Sequence, residues 1–307
     1  MIIDFHTHTF PDKIAGKAIH KLSGLSHTIP FSDGTVEGLR KNAQRAGIGL
    51  SVVLPVATSA EHVRHINDFA IAQNEKEHVR DTETQEGRAQ ENCGQSRIFS
   101  FGAMHHEMED YRAELARIAA AGLKGIKVHP YYHGCNLNDP KYLCILDRAA
   151  EVGLIVVTHA GYDVGFPGAH FCTVPMLREV MQTIGKFPFV AAHMGGWKEW
   201  EQVPELLADT GIYLDTSFST GEMKRPEGDD YWKPEECPML DEEAFAEIVR
   251  AFPEGHILFG TDSPWTDPEE SVAFIRNAPL PEETKQEILG GAAKRLLHMS
   301  SVSCLSR

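Results

Sequence analysis

Eight short apolar runs punctuate the chain, at residues 2–5, 51–54, 98–102, 125–128, 154–158, 189–192, 212–215 and 257–260. Most are rich in Val, Ile and Phe and apolar throughout, which is the pattern of strands buried on both faces of a parallel sheet. Amphipathic stretches lie between them, at 61–73, 111–121, 142–152, 175–184 and 241–252. Asp139-Pro140, Thr173 ahead of Pro175, and Asp267-Pro268 read as helix entries. Gly122, Gly153 and Gly211 stand where helices should stop. Strand and helix alternating eight times predict an α/β fold, a (β/α)8 TIM barrel, with a doubly wound open sheet as runner-up. The 307 residues exceed the roughly 250 such a barrel needs, so we expect a single domain over 1–307 with loop insertions.

Two segments interrupt the rhythm. Residues 74–97 are polar and heavily charged and precede the third strand. This places them on the N-terminal face as a solvated helix extension or loop. Residues 217–240 follow the seventh strand and overhang the opposite face. Their length, with Lys224-Arg225 and Tyr231-Trp232, makes them a lid candidate.

With 29 Lys plus Arg against 44 Asp plus Glu, the net charge is −15. Such a surface repels phosphate backbones and anionic lipids, so neither nucleic acid nor membrane is expected as a partner. No apolar run approaches the roughly 20 residues of a membrane span. The start, Met-Ile-Ile-Asp-Phe-His, lacks the pattern of a signal peptide, so a cytoplasmic location is expected. The six cysteines form no Cys-x-x-Cys pair and read as free thiols.

Polar residues of one chemical type close the apolar runs. His6 and His8 leave the first strand, Lys127 and His129 the fourth, His159 the fifth, His193 the sixth and Asp262 the eighth. Side chains two apart on extended backbone share a side, so His6 and His8 can converge on one ion. In a barrel all these tips meet at the C-terminal mouth, where barrel active sites are built. Three imidazoles and a carboxylate suit a catalytic divalent ion such as Zn²⁺, which lowers the pKa of water towards 7. Asp262 can bind the ion and accept a proton. One imidazole need not bind it, and His193 is suited either to hydrogen-bond the water or to polarise a substrate carbonyl.

The motifs Asp-Phe-His-Thr-His (4–8), Gly-Ile-Lys-Val-His-Pro (125–130), Thr-His-Ala-Gly (158–161), Ala-His-Met-Gly-Gly-Trp (192–197) and Gly-Thr-Asp-Ser-Pro-Trp (260–265) together resemble the amidohydrolase superfamily. The resemblance is to its amidohydrolase-related branch, which includes aminocarboxymuconate-semialdehyde decarboxylase and the resorcylate decarboxylases. It extends to a closing helix at 287–297 and implies a TIM-barrel enzyme with one divalent metal, usually Zn²⁺. Motif by motif, it implies His6, His8, His159 and Asp262 as ligands and His193 as a catalytic imidazole outside the ligand set. It also implies a homodimer. The Lys-x-His at 127–129 departs from the branch pattern. Lys127 is open to three roles: a carboxylated bridge to a second metal, a cation for a substrate carboxylate, or an ion-pair partner. The uncarboxylated cation is favoured, because the other motifs match the mononuclear branch.

Trp197, Trp265, Phe166 and His105 are expected to line the pocket, with His129 and His133 as further candidates. The leading functional expectation is a metal-dependent hydrolase acting on an amide, ester or lactone of a small molecule. The alternative is a metal-dependent decarboxylase or hydratase acting on a small carboxylic acid.

Overall fold

The computed structural model describes residues 1–85 and 95–299. Among them are nine strands: β1 (Ile2–Thr7), β2 (Ile48–Val53), β3 (Arg97–Ser100), β4 (Gly102–Ala103), β5 (Gly125–Val128), β6 (Ile155–Thr158), β7 (Phe189–Ala191), β8 (Tyr213–Asp215) and β9 (Ile257–Leu258). The predicted third strand is divided between β3 and β4 at Phe101, so eight barrel positions are filled. All ladders are parallel and join neighbours in chain order, β1–β2–β3 in one sheet and β4 through β9 in another. The division is bridged by Phe101 N–H donating to Val53 O at 2.9 Å. Across the remaining seam Phe5 N donates to Phe259 O (2.8 Å), Asp262 N to His6 O (2.8 Å) and His8 N to Ser263 O (2.7 Å). The last strand thus meets the first, as a (β/α)8 TIM barrel requires.

Ile3, Phe5, Leu50, Val52, Phe101, Val157, Val190 and Leu258 fill the barrel interior, and Ala292, Ala293, Leu296 and Leu297 stopper its N-terminal end. That plug depends on Gly290, where a Cβ would lie 2.3 Å from the carbonyl oxygen of Met1. A larger apolar layer packs the outer strand faces against the helices. The β1–β2 register slips between Asp4 and Thr7. There the inward-facing set passes from Ile3 and Phe5 to His6 and His8, as bulges commonly re-aim side chains.

The predicted helices appear at Val63–Gln85, Tyr111–Ala120, Pro140–Glu151, Val174–Ile184 and Glu242–Ala251. Asp139 and Asp267 cap as expected, accepting from Lys141 N (2.8 Å) and Glu269 N (2.9 Å). Thr173 makes no such bond, and Glu199 instead accepts from Val174 N at 3.1 Å. Besides short helical turns such as Pro130–His133 and Glu282–Gln286, two longer helices were not anticipated, Asp12–Ser26 and Val36–Arg45. The second is the barrel helix between β1 and β2. The first is an addition lying ahead of it in the same connection.

The charged stretch at 74–97 is more firmly held than a solvated extension. Residues 74–85 continue the helix Val63–Gln85, while 86–94 lie outside the described residues. Asn74 exchanges two hydrogen bonds with the Ser100 backbone (2.7 and 2.9 Å). Glu77 is buried and pairs with Arg40 at 2.6 Å.

The 217–240 connection is tied at its base by Leu240 N–H donating to Ser219 O (2.8 Å). Phe218, Met223 and Trp232 pack with Trp197 in a small apolar cluster. The Trp232 indole donates to Ser26 O (2.8 Å), Ile29 N donates to Lys224 O (2.8 Å), and His27 pairs with Asp229 (2.7 Å). The segment therefore clasps the chain just past the helix Asp12–Ser26. No described helix is long and apolar enough to cross a membrane.

Candidate active site and metal centre

The strand tips converge at the C-terminal mouth. One ligand-type atom each from His6, His8 and Asp262 lies within 4.8 Å of the others. His8 Nε2 is 3.0 Å and His6 Nε2 3.4 Å from the same Asp262 oxygen. Lys127 Nζ, almost fully buried, is 3.3 Å from His6 Nε2. His159 stands beside this group, not within it. Its Nδ1 is 3.0 Å from His193 Nε2, and it clusters with His129 and Asp163.

Each ring is held from its far side by an oxygen. His6 Nδ1 meets the Asp215 carboxylate at 2.8 Å, His8 Nδ1 meets Leu54 O at 2.8 Å, and His193 Nδ1 meets Ser217 O at 2.9 Å. His159 is turned the other way, with Nε2 on Tyr162 O at 3.0 Å. Carbonyls and carboxylates only accept, so each of these nitrogens carries the proton and the opposite nitrogen carries a lone pair. His6 Nε2, His8 Nε2, His193 Nε2 and His159 Nδ1 are therefore all acceptors, and Asp262 adds a fifth. Among the described residues, Lys127 Nζ is the one donor that the hydrogen bonds place against them. The contact of His193 with His159 sets two lone pairs 3.0 Å apart unless a proton or cation lies between. Imidazoles fixed in tautomer by an outer oxygen are the usual surroundings of a bound metal. The donor set thus fits a divalent ion.

Electrostatics point the same way. Burial, with Lys127 adding to it, pushes His6 down to about 4. Burial also lowers His193, and takes His159 and His129 well below the ordinary range. These four imidazoles are accordingly held towards the neutral form, the one that binds metal. Burial alone would raise Asp262, but the His8 hydrogen bond and His6 hold it below the usual carboxylate range. Asp215 is likewise pulled down against burial by His6. Burial brings Lys127 down to about 8, against the pull of Asp215 and Asp262.

Local backbone explains how these tips are held. Gly161 has φ +78°, and a Cβ there would lie 2.2 Å from Trp197 N. Only glycine admits that approach. It lets Trp197 N donate to Ala160 O (3.2 Å) and Tyr162 N to Trp197 O (3.0 Å), which locks the loops carrying His159 and His193 together. His193 and Asp262 themselves adopt left-handed φ values of 58° and 59°. Such strain costs of order 1–3 kcal/mol per residue and gathers at functional sites.

A cavity of about 680 Å³ opens over the centre, lined by His6, His8, Lys127, His129, His159, His193 and Asp262. Trp197, Trp265 and Phe166 line it as expected, and Phe218 joins them from the 217–240 segment. His105 does not. Phe101 packs in the inner core but Ala103 packs in the outer layer, so the alternation that would aim His105 inward is lost. Its ring instead lies tilted against His133, with centroids 4.0 Å apart, and beside His106. His133 is likewise outside the lining, with Nε2 on Ala57 O (2.8 Å). Neither Lys224, paired with Glu270 at 3.3 Å, nor Arg225, donating to Trp232 O, lines the cavity. Asp215, Asp163 and Ser217 were missed by sequence reasoning. Asp215 had a signal, since it closes an apolar run as the other site residues do.

A search among curated proteins finds no match. Solved structures match over nearly the full chain at low identity. One is 5-carboxyvanillate decarboxylase from Sphingomonas paucimobilis, at 16% identity and TM-score 0.61, covering 97% of this chain and 99% of that one. A second is a putative 2-pyrone-4,6-dicarboxylic acid hydrolase from Pseudomonas putida, at 17% identity and TM-score 0.59, covering 97% of each chain. A third is a dihydroxybenzoic acid decarboxylase from Polaromonas sp. JS666 with bound manganese, at 13% identity and TM-score 0.60, covering 97% and 96%. These likenesses establish the fold. The amidohydrolase family model matches residues 3–299, and with that extent of agreement the chain belongs to the amidohydrolase family and is an enzyme of that superfamily.

Proposed function

We propose that the protein is a metal-dependent hydrolase acting on an amide, ester or lactone carbonyl of a small molecule. The observation that carries this reading is the set of fixed lone pairs converging beside the Asp262 carboxylate. His6 and His8 through Nε2, His159 through Nδ1 and Asp262 are the residues that would hold the ion. Zn²⁺ is the proposed metal, and Mn²⁺, present in the Polaromonas decarboxylase, its competitor. When bound, a divalent ion supplies Lewis acidity and makes water acidic enough to react near neutral pH. Asp215 and Leu54 O orient His6 and His8. With its lone pair, His193 Nε2 can hold one proton of the attacking water, while Asp262 accepts the other and returns it to the leaving group. Trp197, Trp265, Phe166 and Phe218 keep bulk water from the carbonyl.

One observation favours decarboxylation as a second reading. Lys127 is a cation on the cavity floor, and a substrate carboxylate would seek one. Against it, neither Lys224 nor Arg225 lines the cavity, and the second lysine that does, Lys21, is an exposed residue of the helix Asp12–Ser26. The test offers metal-loaded enzyme a panel of lactones, N-acyl amino acids and aromatic or unsaturated acids. Hydrolysis products are expected, and CO₂ release without them would replace the first reading by the second.

A further inference from the structure

The helix Asp12–Ser26 carries two apolar stripes where one suffices for packing. Ala15 and Ile19 are buried towards the barrel. Ile14, Ala18, Leu22 and Leu25 recur at helical spacing on a second stripe, and all four line the catalytic cavity. The helix Val63–Gln85 faces them with Ile66 and Phe69. Of seven large hydrophobic side chains exposed among the described residues, three (Ile14, Leu25 and Phe69) belong to this wall. They are 51%, 48% and 37% exposed, so the wall is built but not covered. It is continuous with the floor at His6 and Asp262, because one cavity is lined by both.

We infer that this wall is an apolar substrate arm: the enzyme takes a substrate whose reacting carbonyl sits at the metal centre and whose extended alkyl or acyl portion lies between the two helices. The inference rests on the hydrolase reading for its chemistry, although the arm itself does not. Continuity with the catalytic floor selects the occupant. An apolar surface reserved for another macromolecule has no need to run down to the site of reaction. About 680 Å³ also exceeds what a single-ring substrate fills, and falls in the range of drug-sized ligand pockets.

The experiment uses the full chain loaded with zinc and a series of straight-chain acyl esters and lactones from two to twelve carbons. kcat/KM should rise about fourfold per methylene until the arm is full. Leu25→Asp and Phe69→Asp should flatten that slope. Val79→Asp, a still more exposed apolar position outside the cavity, should preserve it. A parallel measurement needs no turnover: displacement of the neutral fluorophore N-phenyl-1-naphthylamine by straight-chain alcohols should strengthen with length, and weaken in the two arm variants. Cleavage of esters with a flat slope and no displacement would overturn the arm and leave the hydrolase reading standing. Length-dependent displacement without cleavage of any ester or lactone would overturn the hydrolase reading and leave the arm. If Leu25→Asp splits a dimer into monomers while the slope persists, the wall is an interface between copies and the inference fails.

Discussion

The two ends of the barrel treat buried charge in opposite ways. Ahead of β3, the buried Arg40 meets its opposite in Glu77 at 2.6 Å, donates also to Ser96 O, and Glu77 accepts in turn from Ile98 N at 3.2 Å. At the C-terminal mouth, lone pairs from four imidazoles and a carboxylate crowd together against one lysine. The first arrangement is nearly complete as folded: Arg40 Nε alone of the guanidinium nitrogens makes no hydrogen bond, and the Glu37 carboxylate lies 3.7 Å from it. The second becomes complete only when a cation arrives. A structural ion pair and a functional site are thus told apart by whether donors and acceptors balance, not by the number of charged groups.

Changes at the two ends should separate stability from function. His6→Ala should have the largest effect, removing bound metal and activity together by elemental analysis and assay; a metal-free variant that still turns over would undo the assignment. His193→Ala should leave metal content near that of the parent while kcat falls by about 10²–10⁴, the range for a general acid–base group. Loss of metal as well would make His193 a ligand. His159→Ala sharpens this further, since metal should leave with it if His159 Nδ1 faces the ion and stay if it serves only His193. At the other end, Glu77→Ala strands a buried guanidinium and should destabilise the fold by about 3–5 kcal/mol in chemical denaturation. Metal equivalents per folded molecule should be unchanged, and a parallel loss of metal would join the two ends. Smallest, adding Zn²⁺ or Mn²⁺ at about 100 times its Kd should stabilise the parent by about 2.7 kcal/mol and leave His6→Ala unmoved.

Much of this was legible in the residues because strands buried on both faces advertise themselves as unbroken apolar runs. The tips that form the candidate site were legible because each ends such a run with a group that has no reason to be buried otherwise. What escaped depends on parity and partnership. The break at Phe101 reversed the expected direction of His105. Asp215 was taken only as a strand terminus, because its pairing with His6 joins positions 209 residues apart. The helix Asp12–Ser26 was hidden by Gly16 and Gly24, which weaken helix propensity. Its second stripe makes sense only when the cavity beside it is known.

The glycine clamp between Gly161 and Trp197 has an evolutionary corollary. Because it fastens the two histidine-bearing loops into one plate, novelty in what the enzyme accepts has to arise elsewhere on the rim. Residues 10–31, which include the added helix, are the natural cassette for such change. Exchanging them with those of a relative should retune selectivity while the machinery beneath is inherited intact.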